Sequence, residues 1–143
     1  IIASIVEREA IKDEERPIIA GVYKNRMAIS MKLEADPTVQ YGKDDLELKD
    51  LSSEEKKDFH FWKPITKTDY QTIDSPFNTY IISGLPPAPI CNPGIKSLEA
   101  TINYTRHKYL YFLQNGGKIY PAETLEQHNK NRQNVLGVKT KNL

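Results

Sequence analysis

The 143-residue chain carries 20 Lys+Arg against 19 Asp+Glu, a formal net charge of +1, and 38% of its residues are hydrophobic. That length and composition suit one globular core, and the lack of a basic excess argues against a dedicated nucleic-acid binder. A single cysteine, Cys91, excludes an internal disulfide and a cysteine-rich zinc site, and no apolar run approaches the roughly 18–20 residues of a membrane span.

The opening residues Ile1-Ile2-Ala3-Ser4-Ile5-Val6 place apolar side chains at helical spacing and predict a helix over residues 1–12. With no initiator Met and a start inside this pattern, the chain is expected to be a piece of a longer protein, any targeting segment lying upstream. Acidic residues 13–15 ahead of Pro17 predict a second helix over residues 16–28, with Ile18, Ile19, Val22 and Met27 facing inward. Residues 33–42 contain Asp36-Pro37-Thr38 and read as an ordered loop, because a residue before proline is pushed away from the helical region. Residues 43–63 form a separate block, mixed in charge and ending in Phe59-His60-Phe61-Trp62. This predicts a helix and an aromatic cluster, inserted in the domain and packed on its surface.

Residues 78–83 predict a short strand, followed by a stiff extended segment at Leu85-Pro86-Pro87-Ala88-Pro89. Asn92 is the expected cap of a helix that has Pro93 at its first position and Ile95, Leu98 and Ile102 as its buried stripe. Residues 109–114 and 118–120 flank Asn115-Gly116-Gly117 as a hairpin, and a last helix is predicted over residues 122–136 with Gly137 as its stop. The expected fold class is α+β, helix-rich with a small β-hairpin or sheet, in one domain over residues 1–143.

The chemistry centres on the first helix. At about 100° per residue, with Ile1 at zero, Ile5 falls near 40°, Ile2 near 100°, Val6 near 140° and Glu9 near 80°. Glu9 therefore continues the apolar arc, whereas Glu7 lies near 240°, on the opposite side. A carboxyl on such an arc loses hydration and stays protonated near neutral pH, which is what a general acid for a glycosidic oxygen requires. The plainer alternative is a helix end at which the stripe has run out and Glu9 meets solvent. Other chemistries lack support. His60, His107 and His128 form no ligand pair on one element, Cys91 has no neighbouring histidine, and Gly116-Gly117 reads as a turn. No metal or other cofactor is expected.

Taken together along the chain, several short segments are those that recur, in this order, in one family. They are Ala3-Ser4-Ile5-Val6-Glu7-Arg8-Glu9, Gly21-Val22-Tyr23-Lys24-Asn25-Arg26, Asp36-Pro37-Thr38-Val39-Gln40-Tyr41-Gly42 and Ser75-Pro76-Phe77-Asn78-Thr79-Tyr80. After these come Gly84-Leu85-Pro86-Pro87-Ala88-Pro89-Ile90, Asn92-Pro93-Gly94, Tyr109-Leu110-Tyr111-Phe112, Gly116-Gly117 and His128-Asn129. Together they resemble the YceG-like endolytic murein transglycosylases (the MltG family) over nearly the whole chain.

The resemblance implies a lysozyme-like catalytic domain that cuts peptidoglycan glycan strands between MurNAc and GlcNAc without water, leaving 1,6-anhydro-MurNAc ends. It assigns the catalytic glutamate to Glu9, with Glu7 as competitor. Residues 5–10 also fit the Ile-x-x-(Arg/Gln)-Glu-Ser pattern of goose-type lysozymes, with Ala10 for Ser. Asn78 and Tyr80, sharing a strand face, together with Thr38, Gln40 and Tyr41 are the expected substrate contacts. Glu7, Asn25, Arg26 and Asp36 are expected to stand behind them, Asp36 being the candidate second carboxyl should the reaction be hydrolytic. Peptidoglycan strands are the implied partner, peptidoglycan synthases a further one. The implied location is the extracytoplasmic face of the cytoplasmic membrane, with an upstream anchor. The competing expectations are a non-catalytic peptidoglycan-binding or scaffold domain and a lysozyme-like hydrolase. Two departures stand out: residues 43–63 are longer than the family's connection, and Lys118-Ile119-Tyr120 follows Gly-Gly where the family often has a histidine.

Overall fold

The apolar start of the chain forms helix α1 (Ile2–Glu9), and residues Ile2 to Val6 are all buried. α1 packs against α2 (Arg16–Ala28), α3 (Asp36–Asp50) and α5 (Ile95–Ile102). Ile5 and Val6 lose all contact with water and join Ile19, Ala20, Tyr23, Leu33, Ala35 and Ile90 in the core. Burial of each large aliphatic side chain contributes about 1.5–3 kcal/mol. A computed structural model describes residues 1–137; residues 138–143 of the single-domain expectation lie outside it.

α1 ends at Glu9 rather than residue 12, because Ala10 turns to extended backbone (φ −71°, ψ 128°). The buried Glu15 carboxylate then accepts from the backbone N–H groups of Ile11 and Lys12 and from Gln114, tying this turn to the C-terminal hairpin. α2 spans the expected residues 16–28, with Pro17 in its first turn. Ile19 and Val22 point inward as expected, but Met27 is exposed.

Residues 33–42 are only partly the loop expected. α3 begins at Asp36 with Pro37 in its first turn, where a missing N–H costs nothing and the fixed φ suits the helix. Thr79 pins this start: its hydroxyl accepts from Ala35 N and bonds Thr38, which in turn donates to Ala35 O. Residues 43–50 continue α3, and its fully buried Asp44 accepts from the N–H groups of Trp62 and Lys63. That carboxylate holds Trp62 at φ 74°, a strained conformation for a bulky residue. Its indole then lies against the Arg8 guanidinium, 3.9 Å from ring centroid to Cζ.

Residues 78–83 form turns in place of the predicted strand: Ile81 and Ile82 both donate to Asn78 O, and no strand among the described residues lies beside them. A short helix α4 (Asp69–Thr72) precedes them. In α5 the cap is Gly94, and Asn92 lies outside the helix. The predicted stripe is reversed: Ile95, Leu98 and Ile102 are 66%, 42% and 76% exposed, while Ser97 and Ala100 face inward. Small side chains let α5 lie close to α1 and α2, and Ser97 is used for a polar contact described below.

Strands β1 (Tyr111–Asn115) and β2 (Lys118–Ala122) make the two-stranded antiparallel sheet. The loop residues Gly116 and Gly117 have φ 58° and 70°, the left-handed pair that a two-residue hairpin turn requires. α6 (Leu125–Leu136) starts after Thr124, which caps it by accepting from Gln127 N, and ends at Gly137 with φ 64°. α6 packs on both strands. The architecture is α+β, helices dominating, as expected.

Segment 103–110 runs close along α2. A Cβ added at Gly21 would sit 2.5 Å from Thr105 O and 2.5 Å from His107 Nε2, so Gly21→Ala must push backbone away. It is expected to lower stability by about 2 kcal/mol in equilibrium chemical denaturation with an unchanged slope.

Candidate active site

Because α1 is buried on most of its circumference, its last residue is delivered at a fixed place. There the half-buried Glu9 side chain meets α2, and the buried Tyr23 hydroxyl donates to Glu9 Oε1 at 2.9 Å. Burial pushes the Glu9 carboxyl up to about 7; the Tyr23 hydrogen bond and Arg26 act against this, and the charge of Asp36 adds to it. Tyr23 is itself held well above the usual phenol range, by burial first and then by the neighbouring Glu9 charge.

Glu9 opens into a cavity of about 310 Å³. Its lining comes from Glu9, from Tyr23 and Arg26 of α2, from Leu33, Glu34, Asp36 and Tyr80, and from Tyr111 and Phe112 of β1 with Leu125, His128 and Arg132 of α6. Asp36, the first residue of α3, accepts from the hydroxyls of Tyr80 (2.6 Å) and Tyr70 (3.1 Å), whose rings lie 4.3 Å apart. Burial, then the bond to Asp36, raises the Tyr80 phenol far above its ordinary value. Tyr23 packs edge-on against Phe112 at 6.1 Å, and His128 stacks on Tyr111 at 5.5 Å.

Arg26 joins the walls. Its guanidinium donates to the carbonyls of Leu110 (2.6 Å), Lys32 (3.0 Å) and Leu33 (2.9 Å) and pairs with Glu34 at 3.2 Å. It is therefore a cross-brace between α2, the loop before α3 and the approach to β1. Asn25 braces the same approach, donating to His107 O and Tyr109 O.

Glu7 lies on another face. Its carboxylate accepts from Ser97 (2.6 Å), Arg16 (3.2 Å) and Gly94 N (3.2 Å), and the Ser97 bond above all holds it below the usual carboxylate range. It is held ionised there and does not line the cavity.

Of the residues expected at the site, Glu9, Arg26, Asp36 and Tyr80 meet at this cavity. The others do not line it. Thr38 is fully buried in its bonds to Ala35 and Thr79. Asn78, also fully buried, donates to Tyr70 O and Ile73 O and accepts from Tyr80 N, so it holds the two tyrosines that reach Asp36. Gln40 donates to Lys63 O, and Tyr41 packs among Phe61, Trp62 and Phe77. Reasoning from pattern missed Tyr23, Tyr111, His128 and Arg132 as lining residues. Three of these four lie inside the recurring segments, which was the available signal; Arg132 had none. Among the described residues no cluster of His, Cys, Asp and Glu could hold a metal ion.

A family model described as the YceG-like family matches residues 1–134. The chain belongs to the YceG-like family. Its relatives include an endolytic murein transglycosylase of Bacillus subtilis, 36% identical over 138 residues, which cover 96% of this chain and 34% of the relative. A Streptococcus pneumoniae protein of the same name is 35% identical over 132 residues, 91% of this chain and 22% of its own length. The solved structure of a putative YceG-like protein from Listeria monocytogenes superposes with a TM-score of 0.73 at 40% identity, covering 90% of this chain and 36% of that one. This YceG-like chain thus spans about a third or less of the relatives it matches.

Two outcomes follow from the environment of Glu9. Removing the one neutral donor to its carboxylate in Tyr23→Phe raises its pKa above about 7, read by NMR titration of carbon-13-labelled glutamate. An unfolded glutamate titrates near 4.5, so between about 4.5 and 7 the folded chain holds the extra proton and its stability falls as pH rises. Glu9→Gln escapes that loss. Near pH 8 it is expected to be about 2 kcal/mol more stable than the parent, the gap closing in acid, as followed by thermal unfolding across pH.

Proposed function

We propose that this domain is an endolytic peptidoglycan lytic transglycosylase, with Glu9 as its acid and then its base. One observation carries the reading: of the carboxyls that line the cavity, Glu9 is held at about 7 and so is part protonated and part ionised near neutral pH. That balance suits a group that must first give and then take a proton. The shared name of the relatives, endolytic murein transglycosylase, supports the substrate class.

In this mechanism protonated Glu9 donates to the glycosidic oxygen between MurNAc C1 and GlcNAc as the C1–O bond breaks. The C6 hydroxyl of the same MurNAc attacks C1, and its proton passes to the Glu9 carboxylate. The products are a GlcNAc-ended strand and a 1,6-anhydro-MurNAc end, with no water consumed. An internal nucleophile needs no second carboxylate to activate it. The Tyr23 hydroxyl steadies the carboxylate between the two proton transfers. Tyr80 and Tyr70 orient Asp36, whose negative charge faces the positive charge that develops at C1.

Asp36 in the same cavity also favours a second reading, hydrolysis by two carboxyls, which leaves a reducing MurNAc end. Both readings put the working protein in the bacterial cell envelope, against its glycan substrate, with a membrane anchor elsewhere in the full chain and with glycan-strand synthases as functional neighbours. Among the described residues no helix is long and apolar enough to cross a membrane.

Mass spectrometry of glycan strands after incubation tests the proposal. The parent chain is expected to yield anhydro ends and Glu9→Gln none; reducing ends would transfer the assignment to a hydrolase using Asp36. The value of kcat/KM is expected to fall above a pH of about 7 as Glu9 loses its proton, and Tyr23→Phe to move that limb to higher pH.

A further inference from the structure

We propose that Arg132, at the edge of the Tyr111–His128 wall of the cleft, binds a carboxylate carried by the muramic sugar and so sets the register of the strand. The inference rests on the function proposed above and adds the substrate feature that the cleft reads.

The cavity carries charge of both signs. Three carboxyls, Glu9, Glu34 and Asp36, and two guanidinium groups, Arg26 and Arg132, line it. Arg26 is fully engaged with three carbonyls and Glu34. Arg132 is exposed, lines the cavity and enters none of the ion pairs among the described residues.

His128 is one helical turn away on the same α6 face, and its ring stacks on Tyr111. Its Nδ1 is buried with no partner among the described residues, so protonation there would enclose an N–H without an acceptor. Burial and the adjacent Arg132 charge both act to keep this ring neutral. The wall is therefore an uncharged aromatic surface with one available guanidinium at its rim.

That arrangement matches a pyranose bearing an acid. The apolar face of the sugar lies on the rings, and a carboxylate meets the guanidinium through charge-assisted hydrogen bonds. In a peptidoglycan strand the carboxylate recurs on every second sugar: on the lactyl ether of MurNAc when it is free, or on the peptide attached there. GlcNAc has none. A cation at the rim of the cavity that Glu9 lines therefore distinguishes the two sugars and selects which of the two alternating glycosidic bonds meets the acid.

The test uses the 143-residue chain with Glu9→Gln, so that ligands are bound and not consumed, with and without Arg132→Gln. Calorimetry compares three ligands of equal length: GlcNAc–MurNAc strands with free lactyl groups, the same strands bearing peptides, and GlcNAc-only oligosaccharides. Arg132→Gln is expected to weaken the carboxylate-bearing ligands roughly fivefold, in line with an exposed ionic hydrogen bond, and to leave the GlcNAc-only ligand unchanged. Arg132→Lys restores part of the loss. A loss confined to free-lactyl strands assigns the lactyl carboxylate, and one confined to peptide-bearing strands assigns the peptide. Equal weakening of all three ligands, no weakening, or no binding of the carboxylate-bearing strands overturns the proposal. Selective binding by a parent chain that cleaves nothing would instead overturn the transglycosylase reading and leave the carboxylate site standing.

Discussion

A helix of eight residues has little stability of its own in water, and α1 exists because its neighbours cover it. Ile5 and Val6 are sealed in the core, Ala3 allows close approach, and Ser4 is absorbed by donating to Ile1 O and accepting from Ile90 N. Everything at the cleft depends on that enclosure. A helix buried so completely cannot rotate, so its last side chain points one way, at Tyr23. The same burial that fixes α1 in space also removes water from its terminal carboxyl. Position and acidity of Glu9 thus have one cause.

The contrast between Glu7 and Glu9 shows how environment separates two identical groups two residues apart. Glu7 receives an arginine, a hydroxyl and a backbone N–H, all of which favour its charge. Glu9 receives one phenol and feels the charge of a second carboxylate, Asp36. The α5 face that supplies Ser97 to Glu7 is therefore part of what keeps the two proton affinities apart. Asp36 shows a third environment: it is exposed and served by two tyrosine hydroxyls that Asn78 and the turns around it hold in place.

Much of this was readable from local pattern where local geometry decides. Gly116-Gly117 announced a hairpin because both turn positions need a left-handed backbone, and Gly137 marked a helix end for the same reason. The apolar arc of α1 placed Glu9 inward because the helix is regular and its period is known. What failed was whatever depends on a distant partner. The Ile95–Leu98–Ile102 spacing correctly signals a helix but does not say that the opposite, small-residue face is the covered one. Asp36-Pro37 is compatible with either a loop or a first helical turn, and Thr79, far away in sequence, decides it. The bond from Tyr23 to Glu9 is a meeting of two helices that no spacing encodes. Thr38, Asn78 and Tyr41 lie in recurring segments, yet they serve the scaffold around the cavity rather than its lining.

The cavity also joins the two ends of the chain: Glu9 comes from the first helix, while β1 and α6 supply part of its lining. Contacts of such long sequence separation form late, after the loop between them has closed. During vectorial synthesis α1 to α3 emerge long before Tyr111, Phe112 and His128 exist to join them. Until the hairpin and α6 dock, Glu9 is held by α1 and Tyr23 but the cavity it opens into is incomplete. The cavity is thus a product of completed folding, and a nascent or truncated chain holding every carboxyl of the site would still lack the wall that Tyr111, Phe112 and His128 build.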